Sequence, residues 1–114
     1  MPRDRKLDYL EFYAADFSAM KRFYGTAFGW SFVDYGEDYI AFADAGLDGG
    51  FQRGAPAAPL PILYAENLEG AVNAVERAGG SVTRSIYAFP GGRRFNFRDP
   101  AGNELAVWSD QPAA

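Results

Sequence analysis

Glu11 is the residue best placed in this sequence to do chemistry. It lies in Leu7 to Tyr13, LDYLEFY, a run of β-forming residues. A strand there sends Leu10 and Phe12 to one face and Tyr9, Glu11 and Tyr13 to the other. A carboxylate among aromatic rings must be solvated, paired or protonated, so it can hold a ligand or accept a proton. Cationic groups cluster downstream at Arg93, Arg94 and Arg98. The 114 residues include no histidine and no cysteine. Zinc, nickel and non-haem iron therefore lose their commonest nitrogen and sulfur donors, and disulfides are excluded. A serine or tyrosine nucleophile would need a lysine or carboxylate as its base, and no spacing suggests such a pair.

Composition narrows the setting. A chain of this length holds one hydrophobic core, and 17% aromatic residues make that core aromatic-rich. The net charge of −4 argues against a phosphate-backbone partner, so no nucleic acid is expected. The opening MPRDRKLDYLEF meets charge before any apolar run of signal-peptide length, and no stretch approaches the ~20 apolar residues of a membrane span. The expectation is a cytoplasmic protein with no membrane partner.

The elements that must position Glu11 recur twice. After the first strand, Asp16 is a natural N-cap for a helix carrying Phe17, Met20, Phe23, Tyr24, Ala27 and Phe28 at helical spacing, stopped by Gly29. Trp30 to Asp34 and Tyr39 to Ala43 read as strands, and glycines weaken the signal of a further strand at Gly49 to Gln52. The segment GAPAAPLP, residues 54–61, reads as a linker. The plan then restarts with a strand at Ile62 to Ala65, an N-cap at Asn67, and a helix carrying Leu68, Ala71, Val72, Val75 and Ala78 up to Gly79-Gly80. Strands at Ser81–Ile86, Arg93–Arg98 and Glu104–Trp108 follow. The caps Asp16 and Asn67 lie 51 residues apart, a two-copy period that predicts a pseudo-symmetric pair rather than a solenoid. The fold class expected is α+β, one domain of two tandem βαβββ modules: module one over about 5–53, a linker over 54–61 and module two over about 62–110.

Two segments carry a family resemblance. LEFYAADFSAMKRFYGTAFGW and the closing FRDPAGNELAVW, with LEGAVNAVERAGG between them, resemble the glyoxalase/bleomycin-resistance/extradiol-dioxygenase (vicinal oxygen chelate) superfamily over almost the whole chain. In the closing motif Asp99 starts a turn, Pro100 presets φ and Gly102 supplies a positive φ. The resemblance implies a cupped, mostly antiparallel sheet with helices on its outer face. In metal-dependent members ligands line the cup. Carried across, those positions fall on Tyr9, Leu60, Ala106 and, more loosely, Gly50. Leucine and alanine have no donor atom, so the expectation is a divergent member with no metal and no cofactor, in which glyoxalase or dioxygenase chemistry is lost.

If those positions face the cup, alternation assigns their neighbours. The ligand-binding candidates are Tyr9, Glu11, Tyr13, Leu60, Tyr64, Arg94, Asn96, Glu104, Ala106 and Trp108, with Ile62 and Arg98 on the same faces. Either glutamate can pair with Arg94 or Arg98 and merely hold the sheet, or serve a ligand. Three functions are carried forward. The first is metal-independent binding of a small molecule, aromatic or partly cationic. The second is a metal-independent lyase or isomerase with Glu11 or Glu104 as base. The third is a structural dimerisation module. The resemblance also implies a homodimer, and the aromatics Phe17, Trp30, Phe32, Phe51, Phe89 and Trp108 look too numerous for one core, as interface residues would be.

Overall fold

The computed structural model describes residues 3–113. It contains two βαβββ modules, so the expected α+β plan is present. The N-terminal module comprises β1 (Lys6–Ala14), α1 (Phe17–Phe28), β2 (Ser31–Asp34), β3 (Tyr39–Ala43) and β4 (Asp48–Arg53). The C-terminal module comprises β5 (Leu60–Tyr64), α2 (Leu68–Arg77), β6 (Ser81–Phe89), β7 (Gly92–Arg98) and β8 (Glu104–Ser109). The strand order is β2-β3-β4-β1 in the first and β5-β8-β7-β6 in the second. In each, the strand that opens the module runs parallel to the strand that closes it, and the remaining pairs are antiparallel.

The chain divides into compact units at Leu60/Pro61, and the segment up to Asp8 groups with the C-terminal unit. Two boundaries therefore differ from the reading of the sequence. Leu60 and Pro61 are the first residues of β5 rather than linker, because Pro61 can occupy a strand position that donates no ladder bond. The first three residues of β1, Lys6 to Asp8, go with the C-terminal unit.

Local chemistry explains the repeat. The Asp16 carboxylate accepts from Ala19 N at 3.0 Å, and the Asn67 side-chain oxygen accepts from Gly70 N at 2.9 Å, so each helix starts on a side-chain cap. Gly29 ends α1 in the left-handed region at φ 76°. The inner face of α1 meets Phe12, Ile40, Phe42 and Phe51, while that of α2 meets Phe95, Phe97 and Val107. Ile40, Leu68 and Phe95 are fully buried, each contributing roughly 1.5–3 kcal/mol by its removal from water. Of the six aromatics expected in surplus, Phe17 and Phe51 are core residues and Trp30 and Phe32 pack against them. The exposed rings are instead Phe23, Phe28 and Tyr35.

Two features were opaque to pattern reading. The glycines of β4 do not weaken it, since a side chain at Gly49 would collide with the Phe42 ring. In β6 the register against β7 shifts between Val82 and Arg84 and again between Arg84 and Tyr87, so simple alternation fails there. The closing turn matches its motif. The Asp99 carboxylate accepts from Ala101 N and Asn103 N at 2.9 Å and from Asn103 Nδ2 at 3.0 Å. These bonds, the Asn103 side chain first, lower its pKa.

Candidate functional site

The four strands of each module have one face under the module's helix and one without. In the N-terminal module, Phe12, Ile40, Phe42 and Phe51 take the helix side. Register then places Tyr9, Glu11 and Tyr13 of β1, Asp48, Gly50 and Gln52 of β4 and Tyr39 and Ala41 of β3 on the helix-free face. The expected face of Glu11 is therefore correct. Glu11 is 4% exposed, and Tyr39 supplies a side-chain hydrogen bond to its carboxylate. Tyr39 Oη also bonds Tyr9 Oη at 2.5 Å. Burial first, then the Tyr9 bond and the nearby Tyr9 and Glu11 charges, push the Tyr39 pKa far above the usual phenol range. Tyr39 thus stays protonated, a fixed donor rather than a base.

Tyr39 also fills space. A side chain at Gly50 would begin 2.5 Å from Tyr39 Oη and 2.5 Å from the Ile40 carbonyl oxygen. The positions that the resemblance marks for metal ligands are thus the Tyr9 phenol, already bonded to Tyr39; Gly50, roofed by the Tyr39 ring; and Leu60 and Ala106. The last two are buried and have no donor atom. Among the described residues no group of three or more His, Cys, Asp or Glu comes together to hold a metal ion. This donor set does not fit the three or more ligands that a zinc, iron or similar site requires.

In the C-terminal module, Leu63, Phe95, Phe97 and Val107 take the helix side. Ile62, Tyr64, Arg94, Asn96, Arg98, Glu104, Ala106 and Trp108 share the helix-free face, as alternation predicts. A polar relay crosses it. Arg94 Nε donates to Tyr87 Oη, Tyr87 Oη donates to Asn96 Oδ1 at 2.9 Å, and Asn96 Nδ2 donates to Glu104 Oε2 at 3.3 Å. Thr83 Oγ1 reaches the same carboxylate oxygen at 3.4 Å, and Arg98 faces its Oε1 at 3.9 Å. Glu104 is therefore a half-exposed, ion-paired group. At the other end Tyr64 Oη donates to Asp110 at 2.5 Å and holds that carboxyl below its ordinary pKa. Trp108 Nε1 donates to Asp8 at 3.0 Å, and the Arg3 guanidinium lies 3.8 Å from the Tyr64 ring centre. Tyr64 and Trp108 thus hold Arg3 and the start of β1, and their polar handles are occupied within this unit.

The candidates therefore separate. Tyr9 and Glu11 meet at Tyr39 on the first face, with Tyr13 farther along β1. Arg94, Asn96 and Glu104 form the relay on the second. Leu60, Tyr64 and Ala106 are buried. Tyr39 was missed although the alternation in YIAFA puts it opposite Ile40 and Phe42. Tyr87 and Arg84 were missed because the bulges of β6 erase the signal.

Residues 9–108 match the family model of the glyoxalase-like domain. No curated protein matches the sequence. Solved structures similar to the chain include a glyoxalase/bleomycin resistance protein/dioxygenase superfamily member from Vibrio splendidus, with 12% identity, a TM-score of 0.74 and coverage of 90% of this chain and 97% of that one. A methylmalonyl-CoA epimerase from Mycobacterium tuberculosis is similar at 14% identity and a TM-score of 0.71, covering 93% and 88%. At these identities the likeness concerns the fold alone. The Mn(II)-bound glyoxalase of Novosphingobium aromaticivorans is 26% identical, with a TM-score of 0.68; 98% of this chain covers 41% of that one. No helix among the described residues is long and apolar enough to cross a membrane. With a match that runs from the opening strand to the closing one, the chain belongs to the glyoxalase-like domain family.

Proposed function

We propose that this glyoxalase-like protein binds a small molecule, without a metal, on helix-free sheet faces. The observation that carries the reading is a substitution of chemistry. Positions at which the resemblance implies ligating side chains hold Tyr9, Gly50, Leu60 and Ala106, and the polar groups present are committed to hydrogen-bonded sets. One set is Tyr9, Tyr39 and Glu11; the other is Arg94, Tyr87, Asn96 and Glu104. Oriented donors and acceptors beside buried apolar residues are the make-up of a small-molecule site. A thermal-shift screen of small molecules, run with and without a chelator, tests the reading. At least one compound should raise Tm equally in both; a stabilisation that needs a divalent ion, or none from any compound, refutes it.

One observation favours an enzyme as second reading. Glu11 is buried and receives the Tyr39 hydrogen bond, whereas Glu104 is half-exposed and faces Arg98. A metal-independent lyase or isomerase would therefore use Glu11 as its base. In that case Glu11→Gln should keep affinity for a compound found in the screen and lose its conversion, followed by mass spectrometry. The proposal includes a homodimer, supported by exposed apolar side chains at Phe23, Phe28, Val33 and Tyr35. Light scattering at micromolar concentration should give twice the 12.5 kDa chain mass.

A further inference from the structure

We propose that the ligand carries an oxyanion, a carboxylate or a phosphate group, and that Arg84 is the residue that captures it. The inference rests on the binding reading above and adds the chemical class of the ligand, with a residue that sequence reasoning did not single out.

Three independent features point to Arg84. The first is its preparation. Its guanidinium carbon lies 3.5 Å from the centre of the Tyr87 ring, and Tyr87 is itself fixed by Arg94 and Asn96. A guanidinium stacked on an aromatic ring keeps its N–H edge for a partner in its own plane, the geometry of bidentate carboxylate or phosphate binding. Arg84 is exposed, and no hydrogen bond or ion pair within the described residues uses that edge.

The second feature is how the strand brings the pair together. Residues 84 and 87 of a regular strand would point to opposite faces. The two register shifts of β6, on either side of Arg84, put Arg84 opposite Asn96 and Tyr87 opposite Arg94, both on the helix-free face. Bulges that re-aim a side chain in this way are concentrated at functional positions.

The third is charge. Arg84 stands across from Asn96, whose neighbours on the same face of β7 are Arg94 and Arg98. Arg84 and Arg98 share this margin with Glu104, whose carboxylate already faces Arg98, Asn96 and Thr83. In a chain of net charge −4, a local cationic excess attracts an anion. The alternative is that Arg84 only guards β6, the edge strand of its sheet, against pairing with another chain. An edge guard needs charge but neither the stacked ring nor the fork.

Two-dimensional NMR titration of the intact chain separates these readings, with inorganic phosphate and benzoate as the anions and benzamide as the uncharged match to benzoate. Saturable shifts centred on residues 84–98 are expected with at least one anion and not with benzamide; which anion binds more tightly tells phosphate from carboxylate. Arg84→Gln should weaken that anion by roughly tenfold or more, the value of one lost charge-assisted contact. Arg84→Lys, which keeps the charge without the fork, should also weaken it. Glu104→Gln, which removes the competing carboxylate, should tighten it. Equal binding by Arg84→Gln, full retention by Arg84→Lys, or no saturable shift with either anion would overturn the proposal. If benzamide or another uncharged compound still stabilises the protein without metal, the anion inference alone has failed. If nothing binds, the broader reading fails with it.

Discussion

The helix-free face of the N-terminal module gathers hydroxyls around a carboxylate, Tyr9 and Tyr39 beside Glu11. That of the C-terminal module gathers guanidiniums around a phenol, Arg84 and Arg94 on Tyr87, and passes through Asn96 to Glu104. The backbone plan is the same, and so is the parallel pairing of opening and closing strands. The contrast teaches where each module has room. In the first, the carboxylate is buried and the Tyr39 ring roofs Gly50. In the second, the relay passes through the buried Asn96 to the exposed Glu104, with the exposed Arg98 and Arg84 beside it, where solvent or a ligand can reach them. One backbone plan thus carries two different kinds of surface rather than two copies of one.

Perturbing the buried cluster should cost most. Glu11→Ala removes one of the two hydrogen-bond partners of the Tyr39 hydroxyl and leaves a cavity, so denaturant melts should show a loss of about 3 kcal/mol. A loss below about 1 kcal/mol would erase the distinction between the buried and the open face. Gly50→Ala should follow at roughly 2 kcal/mol, because its new Cβ meets backbone at Ile40 as well as the Tyr39 ring. Paired with Tyr39→Ala it should recover only part of this, since the Ile40 carbonyl remains.

Next comes pH. The Tyr39 pKa is raised in the folded protein, so the unfolded chain ionises first as pH climbs past the ordinary phenol value of 10.0. The contribution of Tyr39 is therefore complete below that value and is lost above it. Melts should fall in alkali, and Tyr39→Phe should flatten that fall. Asp99, Glu69 and Asp110 shift the other way, held down chiefly by bonds from Asn103, Arg93 and Tyr64. Their contribution is present above the ordinary carboxylate range and is lost as acid protonates them in the folded state. Smallest is Glu104→Gln, within about 0.5 kcal/mol, because its pair with Arg98 is solvent-screened. A larger loss would make the C-terminal relay structural and weaken its assignment as a binding margin.

Most of the fold was legible because its signals are local. The caps Asp16 and Asn67, the stop at Gly29 and the Asp99 turn each name their own geometry. Strand alternation placed Glu11, Arg94, Asn96 and Glu104 on the correct faces. What escaped depends on contacts distant in sequence or on broken periodicity. The glycines of β4 look like dilution until the Phe42 and Tyr39 rings are seen above them. Tyr87 joins Arg94 only because β6 slips register. Trp108 reads as one of several ligand-binding candidates, and its indole N–H bonds Asp8, 100 residues earlier.

The central claim is metal-independent binding of a small molecule, and native mass spectrometry of the protein purified from its source, without chelating resin, tests it most directly. An organic adduct on the chain, or on its dimer, should be present and survive treatment with a chelator. A near-stoichiometric mass increment of manganese, zinc, nickel or iron, removed by that chelator together with any organic guest, would contradict the claim.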